Sequence, residues 1–140
     1  MSILKGAFFL KKISIVFLAG LSFLFSGVVF ANNHSDTGWS ATLPRFQGNY
    51  YTGARKKTDT SSGWVTLGAI GKGGINAWMQ LANGTEVNSP KRNLHVGQGR
   101  YISNYAYEWY GATNVRMAIE SDYVNVVRIN ASGVWSPDSI

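Results

Sequence analysis

The chain has 140 residues with 13 basic and 7 acidic side chains, a formal net charge of +6 and no cysteine. The absence of cysteine excludes a disulfide framework, a thiolate zinc site, a cysteine nucleophile and a lipid-modified N-terminal cysteine. The length fits one small domain.

The first 31 residues are typical of an export signal. Lys5, Lys11 and Lys12 precede an uncharged apolar run over 13–30, and Ala31 supplies a small residue at the expected cleavage site. We therefore predict a cleavable signal peptide over 1–31 and secretion of the remainder. A retained membrane anchor is the alternative, because the run just reaches the length that spans a bilayer.

Half of the net positive charge lies in this predicted signal peptide. Three of the 13 basic residues and none of the seven acidic residues precede Ala31, so the remainder carries a net charge of +3. Such a charge is ordinary for a soluble domain, and we expect no nucleic-acid partner.

Beyond a polar segment over 32–37, predicted to be flexible, short β-like runs alternate with Gly, Asn, Ser and Asp. Apolar residues recur at every second position in the clearest runs, and no helical period is present. The predicted strands include 64–70, 75–81, 101–110, 114–120 and 123–129. We expect an all-β domain over 38–140, a small antiparallel β-sandwich of about 7–8 short strands. Residues 71–74 are predicted to form a hairpin turn.

The aromatic residues divide sharply between the two parts of the chain. All five Trp and all seven Tyr follow Ala31, whereas six of the seven Phe precede it. On the predicted strand over 101–110, Tyr105, Tyr107 and Trp109 share one face. This stripe is either an exposed platform that stacks on sugar rings or meets a membrane interface, or the core face of a central strand.

Basic residues lie beside aromatic residues at two places. Arg55, Lys56 and Lys57 follow a Tyr pair, and Arg100 precedes a further Tyr. Such cations can hold teichoic acids or anionic lipid headgroups, although solvated turns account for them equally well. Together with the aromatic stripe, these four residues form the candidate binding site.

Signals for catalysis are weak. No Gly-x-Ser-x-Gly motif is present, and the two histidines, His34 and His95, lie in a polar segment and in a loop. Glu108, Glu120 and Asp122 could pair as the carboxylates of a glycosidase do, but no spacing indicates a metal site. We expect no enzyme activity and no cofactor.

Several motifs point to a family. They are the strand that contains Trp78, the Tyr-rich run over 101–110, and the segments 48–55, 63–65, 83–85, 93–99, 113–116 and 131–135. Through them the chain resembles a family of small secreted proteins of Gram-positive bacteria that is catalogued as a domain of unknown function. The resemblance implies export and a β-rich domain, and it supplies no catalytic residues.

The sequence thus predicts a secreted, non-catalytic protein that acts at the bacterial cell envelope or outside the cell. Its expected partner is a cell-wall glycan, an anionic polymer or a membrane surface. The alternative is a bacteriocin-like antimicrobial or accessory protein that acts on membranes of competing cells. Small size, predicted export, positive charge and the Trp and Tyr content favour this alternative.

Overall fold

A computed structural model describes residues 33–139, which hold ten β-strands and one short helix. The predicted signal peptide over 1–31 lies outside the described residues. The helix, α1, covers Ala106–Tyr110. The strands are β1 (Thr37–Leu43), β2 (Tyr50–Tyr51), β3 (Arg55–Lys57), β4 (Gly63–Thr66), β5 (Ala69–Ile70), β6 (Ile75–Leu81), β7 (Arg92–Leu94), β8 (Gly99–Ile102), β9 (Thr113–Ser121) and β10 (Ile129–Ser136).

The strands form two antiparallel sheets of five strands each, which pack as a sandwich. The first sheet has the order β1-β10-β4-β8, with β5 also paired to β10, and the second has the order β2-β9-β6-β7, with β3 also paired to β9. The predicted all-β sandwich is confirmed. The structure has more strands than expected because β2, β3 and β5 contain only two or three residues, too few to show an alternation.

Inward-facing side chains of both sheets form the core. In β1, Trp39, Ala41 and Leu43 are buried while the residues between them are exposed, which is the period of two expected for a half-buried strand. Met79 and Met117 are opposite each other in the second sheet and fully buried. The described residues 33–139 belong to one compact unit that contains this whole core. Within the described range, no helix is long and apolar enough to span a bilayer.

The strand pairing gives the sandwich two ends. At one end, Leu43 lies opposite Ile129 and Ile75 lies opposite Ser121, so the loops 44–49, 71–74 and 122–128 meet there. We call it the loop end. At the other end, β10 finishes and β9 begins just after α1. We call it the helix end.

The prediction of a strand over 101–110 was wrong beyond Ile102, where β8 ends. The buried side chain of Asn104 accepts a hydrogen bond from Ala106 N at 3.0 Å and donates one to Ile102 O at 3.1 Å. An amide side chain that bonds to nearby backbone groups favours a turn over a continuing strand. The chain therefore leaves the sheet and forms α1.

The predicted strand over 123–129 was also wrong, because β10 begins only at Ile129 and 122–128 form a loop. The predicted hairpin over 71–74 was wrong as well. Its flanking strands pair with different sheets, β5 with β10 and β6 with β9, so this turn carries the chain from one sheet to the other.

The flexibility of the segment 32–37 stays a prediction. Its described part contacts the sandwich: Asn33 N donates to Asp138 Oδ2 at 2.9 Å and Asn33 Nδ2 donates to Lys56 O at 2.8 Å. Thr37 already belongs to β1.

Candidate functional site

The predicted aromatic stripe is not on a strand: Tyr105 immediately precedes α1, and Tyr107 and Trp109 belong to the helix. Tyr105 and Trp109 are 47% and 53% exposed, and Tyr110 beside them is 50% exposed, whereas Tyr107 is partly buried. Residues four positions apart lie on one face of a helix, and the rings of Tyr105 and Trp109 are 5.5 Å apart at 68°. The stripe is therefore a surface feature, and the interpretation as a core strand was wrong. Ala106 instead faces the core.

Lys57 does not belong to a surface site. Its side chain and that of Asp138 are fully buried, with Lys57 Nζ 2.8 Å from Asp138 Oδ1. The ammonium group also donates to Pro137 O at 3.0 Å and to Ser61 O. This ion pair joins β3 of the second sheet to the chain that follows β10 of the first sheet. Lys57 therefore stabilises the fold and is not available to a ligand.

Asp138 accepts further hydrogen bonds on its second oxygen, Oδ2. Thr58 donates from N at 3.0 Å and from Oγ1 at 2.8 Å, and Asn33 N adds a third donor at 2.9 Å. Burial by itself raises the pKa of this carboxyl, but the hydrogen bonds from Lys57, Thr58 and Asn33 outweigh burial and lower the pKa below its ordinary value. Asp138 is thus ionised in the folded protein at neutral pH.

Arg55 is also held by the fold. Its guanidinium donates to Ser35 O at 2.6 Å, Trp135 O at 3.2 Å and Asn33 Oδ1 at 2.7 Å. Burial lowers its pKa, while the nearby carboxylates of Asp36 and Asp138 act in the opposite direction. These contacts connect the segment before β1 to β3. The guanidinium is therefore occupied by hydrogen bonds within the protein.

The remaining predicted cations are separated from each other. Lys56 is exposed on β3 of the second sheet, whereas Arg100 on β8 of the first sheet is partly buried and donates to Gln98 Oε1 at 3.3 Å. The structure therefore does not assemble the four predicted basic residues into one surface patch around the α1 aromatics.

A cleft that the sequence did not predict lies on the first sheet, near the helix end. Trp64 on β4 is directly opposite Tyr101 on β8, and their rings are 4.9 Å apart at an angle of 56°. The cleft has a volume of about 230 Å³. It is lined by His34, Asp36, Trp64, Tyr101, Ser136 and Ser139.

Gly99 makes room for the indole of this cleft. A Cβ atom at position 99 would lie 2.4 Å from Cζ2 and 2.5 Å from Cη2 of Trp64, closer than nonbonded carbon atoms approach. The ring of Trp64 thus covers the backbone at the start of β8. The φ angle of Gly99 lies outside the left-handed region, so the backbone conformation does not require glycine. Glycine is required because a side chain would collide with the Trp64 ring.

The chemistry available in the cleft is aromatic and polar. Tyr101 is 60% exposed and Trp64 partly buried, so the pair offers ring surface to a ligand. His34 and Asp36 are exposed and lie in the short segment before β1. A few polar groups beside aromatic rings are typical of sites that bind and orient a small ligand.

Two of the three acidic residues considered for catalysis, Glu120 and Asp122, have structural partners, whereas Glu108 is exposed on α1. Glu120 accepts hydrogen bonds from Lys91 Nζ at 3.1 Å and from Asn76 Nδ2 at 3.0 Å. Asp122 accepts from Gly74 N at 3.0 Å. Across residues 33–139, no group of three or more His, Asp or Glu side chains is placed to hold a metal ion.

A family model described as "Protein of unknown function (DUF2712)" matches residues 27–139. The chain belongs to this family. The match spans all ten strands and α1 of the DUF2712 domain described above. The predicted membership of a domain-of-unknown-function family is thereby confirmed. No curated protein and no solved structure gave a match.

The buried ion pair predicts a large stability cost in this DUF2712 protein. Replacing Asp138 by Ala leaves the Lys57 ammonium buried without its counter-charge, and we expect a loss of about 3–5 kcal/mol in the free energy of unfolding. Urea denaturation of residues 32–140 measures it. Lys56→Ala is the matched control and should change the value by less than about 0.5 kcal/mol. Equal effects of the two substitutions would contradict the assignment.

The lowered pKa of Asp138 predicts sensitivity to acid. An unfolded aspartate titrates near about 3.9, so the stabilisation is complete above that pH and is lost as the pH falls through the lower folded-state pKa. The unfolding free energy should therefore decline as the pH falls below about 4, and less steeply in Asp138→Asn, which lacks the titrating group. Parallel declines in both proteins would show that other carboxyl groups dominate.

Proposed function

We propose that this protein is a secreted, non-catalytic binding protein of the bacterial cell envelope that takes a glycan in the Trp64–Tyr101 cleft. The observation that carries the proposal is the cross-strand ring pair, 4.9 Å apart, at a cleft that also contains Asp36 and His34. A concave site with rings and few polar groups binds its ligand by shape and selects it by hydrogen bonding.

Sugar rings match this chemistry. A pyranose has one apolar face made of C–H groups and an edge of hydroxyl groups. The apolar face packs on Trp64 or Tyr101, since both side chains combine a large apolar surface with a polar group. The Asp36 carboxylate accepts hydrogen bonds from hydroxyl groups, and the imidazole of His34 can also hydrogen-bond to them.

The charges favour a neutral or weakly charged glycan over a polyanion. The cleft lining carries the Asp36 carboxylate, which repels phosphate groups. Lys57 is buried in its ion pair and Arg55 is hydrogen-bonded to backbone and side-chain oxygens.

Export places the protein where such a glycan is found. The basic, apolar and small-residue regions of 1–31 support a signal peptide, and the family resemblance supports secretion by a Gram-positive bacterium. Mass spectrometry of protein recovered from the medium of an expressing Gram-positive host should find a chain that begins at Asn32. A chain that still begins at Met1 would contradict export by cleavage.

The cleft predicts which side chains glycan binding needs. In sedimentation of residues 32–140 with peptidoglycan sacculi stripped of teichoic acids, Trp64→Ala and Tyr101→Ala should each weaken binding by at least about ten-fold, because each removes a stacking ring. Gly99→Ala should also weaken binding, since its Cβ displaces the Trp64 ring.

Tyr51→Ala is the matched control, because Tyr51 is an exposed tyrosine on the second sheet. It should leave sacculus binding unchanged. Binding that survives Trp64→Ala, or that falls equally with Tyr51→Ala, would contradict the cleft as the glycan site. Dye release from vesicles and inhibition of indicator bacteria would instead favour the bacteriocin-like alternative.

A further inference from the structure

Four apolar side chains project into solvent at the loop end. Phe46 is 66% exposed, and Val124, Val126 and Val127 are 63%, 70% and 58% exposed. Phe46 is the single phenylalanine that follows Ala31. Exposed apolar side chains clustered on adjoining loops mark interaction surfaces, whereas isolated ones need no explanation.

The buried side chain of Asn125 holds the two loops together. Its Nδ2 donates to Pro44 O and to Val127 O, each at 2.8 Å, and its Oδ1 accepts from Gln47 N at 2.9 Å. The backbone adds a bond from Phe46 N to Asn125 O at 2.6 Å. Asn125 is fully buried, whereas its neighbours Val124 and Val126 are exposed.

The backbone of the first loop is unusual at the same place. Phe46 and Gln47 both have φ of 59°, in the left-handed region that is unfavourable for a residue with a Cβ. The hydrogen bonds of Asn125 offset this cost and fix the turn. The fold thus stabilises a conformation that keeps the Phe46 ring in water, and strain of this kind concentrates at functional sites.

Cations flank the apolar side chains. Arg45 precedes Phe46 and Arg128 follows Val127, and both are exposed. Lys72 of the neighbouring loop lies 5.4 Å from the ring of Tyr123. Asp122, an acidic residue at this end, accepts hydrogen bonds from Gly74 N and Asn93 Nδ2, both at 3.0 Å. Its carboxylate is therefore hydrogen-bonded within the protein.

We propose that the loop end docks on a lipid bilayer with anionic headgroups. Phe46 and the three valines enter the boundary between headgroups and acyl chains, while Arg45 and Arg128 contact lipid phosphates. Charge complementarity selects this occupant, because a second copy would bring the same cations face to face. This site lies at the opposite end from the glycan cleft and is independent of it.

The left-handed backbone at Phe46 allows a substitution that removes the ring without destabilising the fold, so an effect on docking can be separated from an effect on folding. Phe46→Asn removes the ring but tolerates φ of 59° better than phenylalanine does, so its thermal stability should equal or exceed that of the parent chain. In co-sedimentation of residues 32–140 with phosphatidylglycerol-containing vesicles, Phe46→Asn should weaken binding by about ten-fold or more. Phe46→Trp should retain binding.

The charges give a second variant. Arg45→Glu combined with Arg128→Glu should abolish binding to phosphatidylglycerol vesicles, and the parent chain should bind phosphatidylcholine vesicles more weakly and lose affinity as salt is added. Tyr110→Ser removes an exposed ring at the helix end and should leave vesicle binding unchanged. Docking by side chains of two short loops should release no entrapped dye.

Three results would overturn the proposal. The parent chain does not bind anionic vesicles, or Phe46→Asn binds them as well as the parent does, or the parent is a dimer in light scattering that Phe46→Asn converts to monomers. Failure of the glycan proposal is separate, because it is measured with sacculi and with Trp64 variants.

Discussion

A buried ion pair, Lys57 with Asp138, closes the helix end of the sandwich. Lys57 belongs to β3, an outer strand of only three residues, and Asp138 follows β10 of the other sheet. Two fully buried charges are tolerated only when each is paired and hydrogen-bonded, and here the ammonium and the carboxylate both have further partners. The pair therefore fixes the short strand, the chain after β10 and, through Asn33, the segment that carries His34 and Asp36 to the cleft.

The two ends of the same sandwich differ in their chemistry. Near the helix end, rings combine with polar side chains and a carboxylate, which suits the faces and edges of sugars. At the loop end, apolar side chains combine with arginines, which suits an anionic bilayer surface. One polar side chain shapes the backbone near each surface: Asn104 turns the chain into α1, and Asn125 holds the two apolar loops.

The sequence predicted the parts of the fold that depend on local periodicity. The alternation over 75–81 identified β6, and the turn residues around it marked where strands end. It could not predict features that depend on distant partners. Lys57 was predicted to be a surface cation because its partner, Asp138, lies 81 residues away in the sequence. Trp64 pairs with Tyr101 on a neighbouring strand of the sheet, and no short stretch of sequence contains both residues. The runs over 101–110 and 123–129 had strand composition, but buried asparagine side chains interrupted them.

We propose that one sandwich presents a glycan site and a lipid site at opposite ends, so that both can be occupied together. Bridging measures this directly: fluorescent phosphatidylglycerol vesicles, too light to pellet alone, are centrifuged at low speed with sacculi and residues 32–140. The parent chain should bring vesicles into the sacculus pellet, and Trp64→Ala or Phe46→Asn alone should abolish this transfer. Displacement of the protein from sacculi by vesicles would contradict the proposal, because it would show that the two ligands bind overlapping surfaces of the protein.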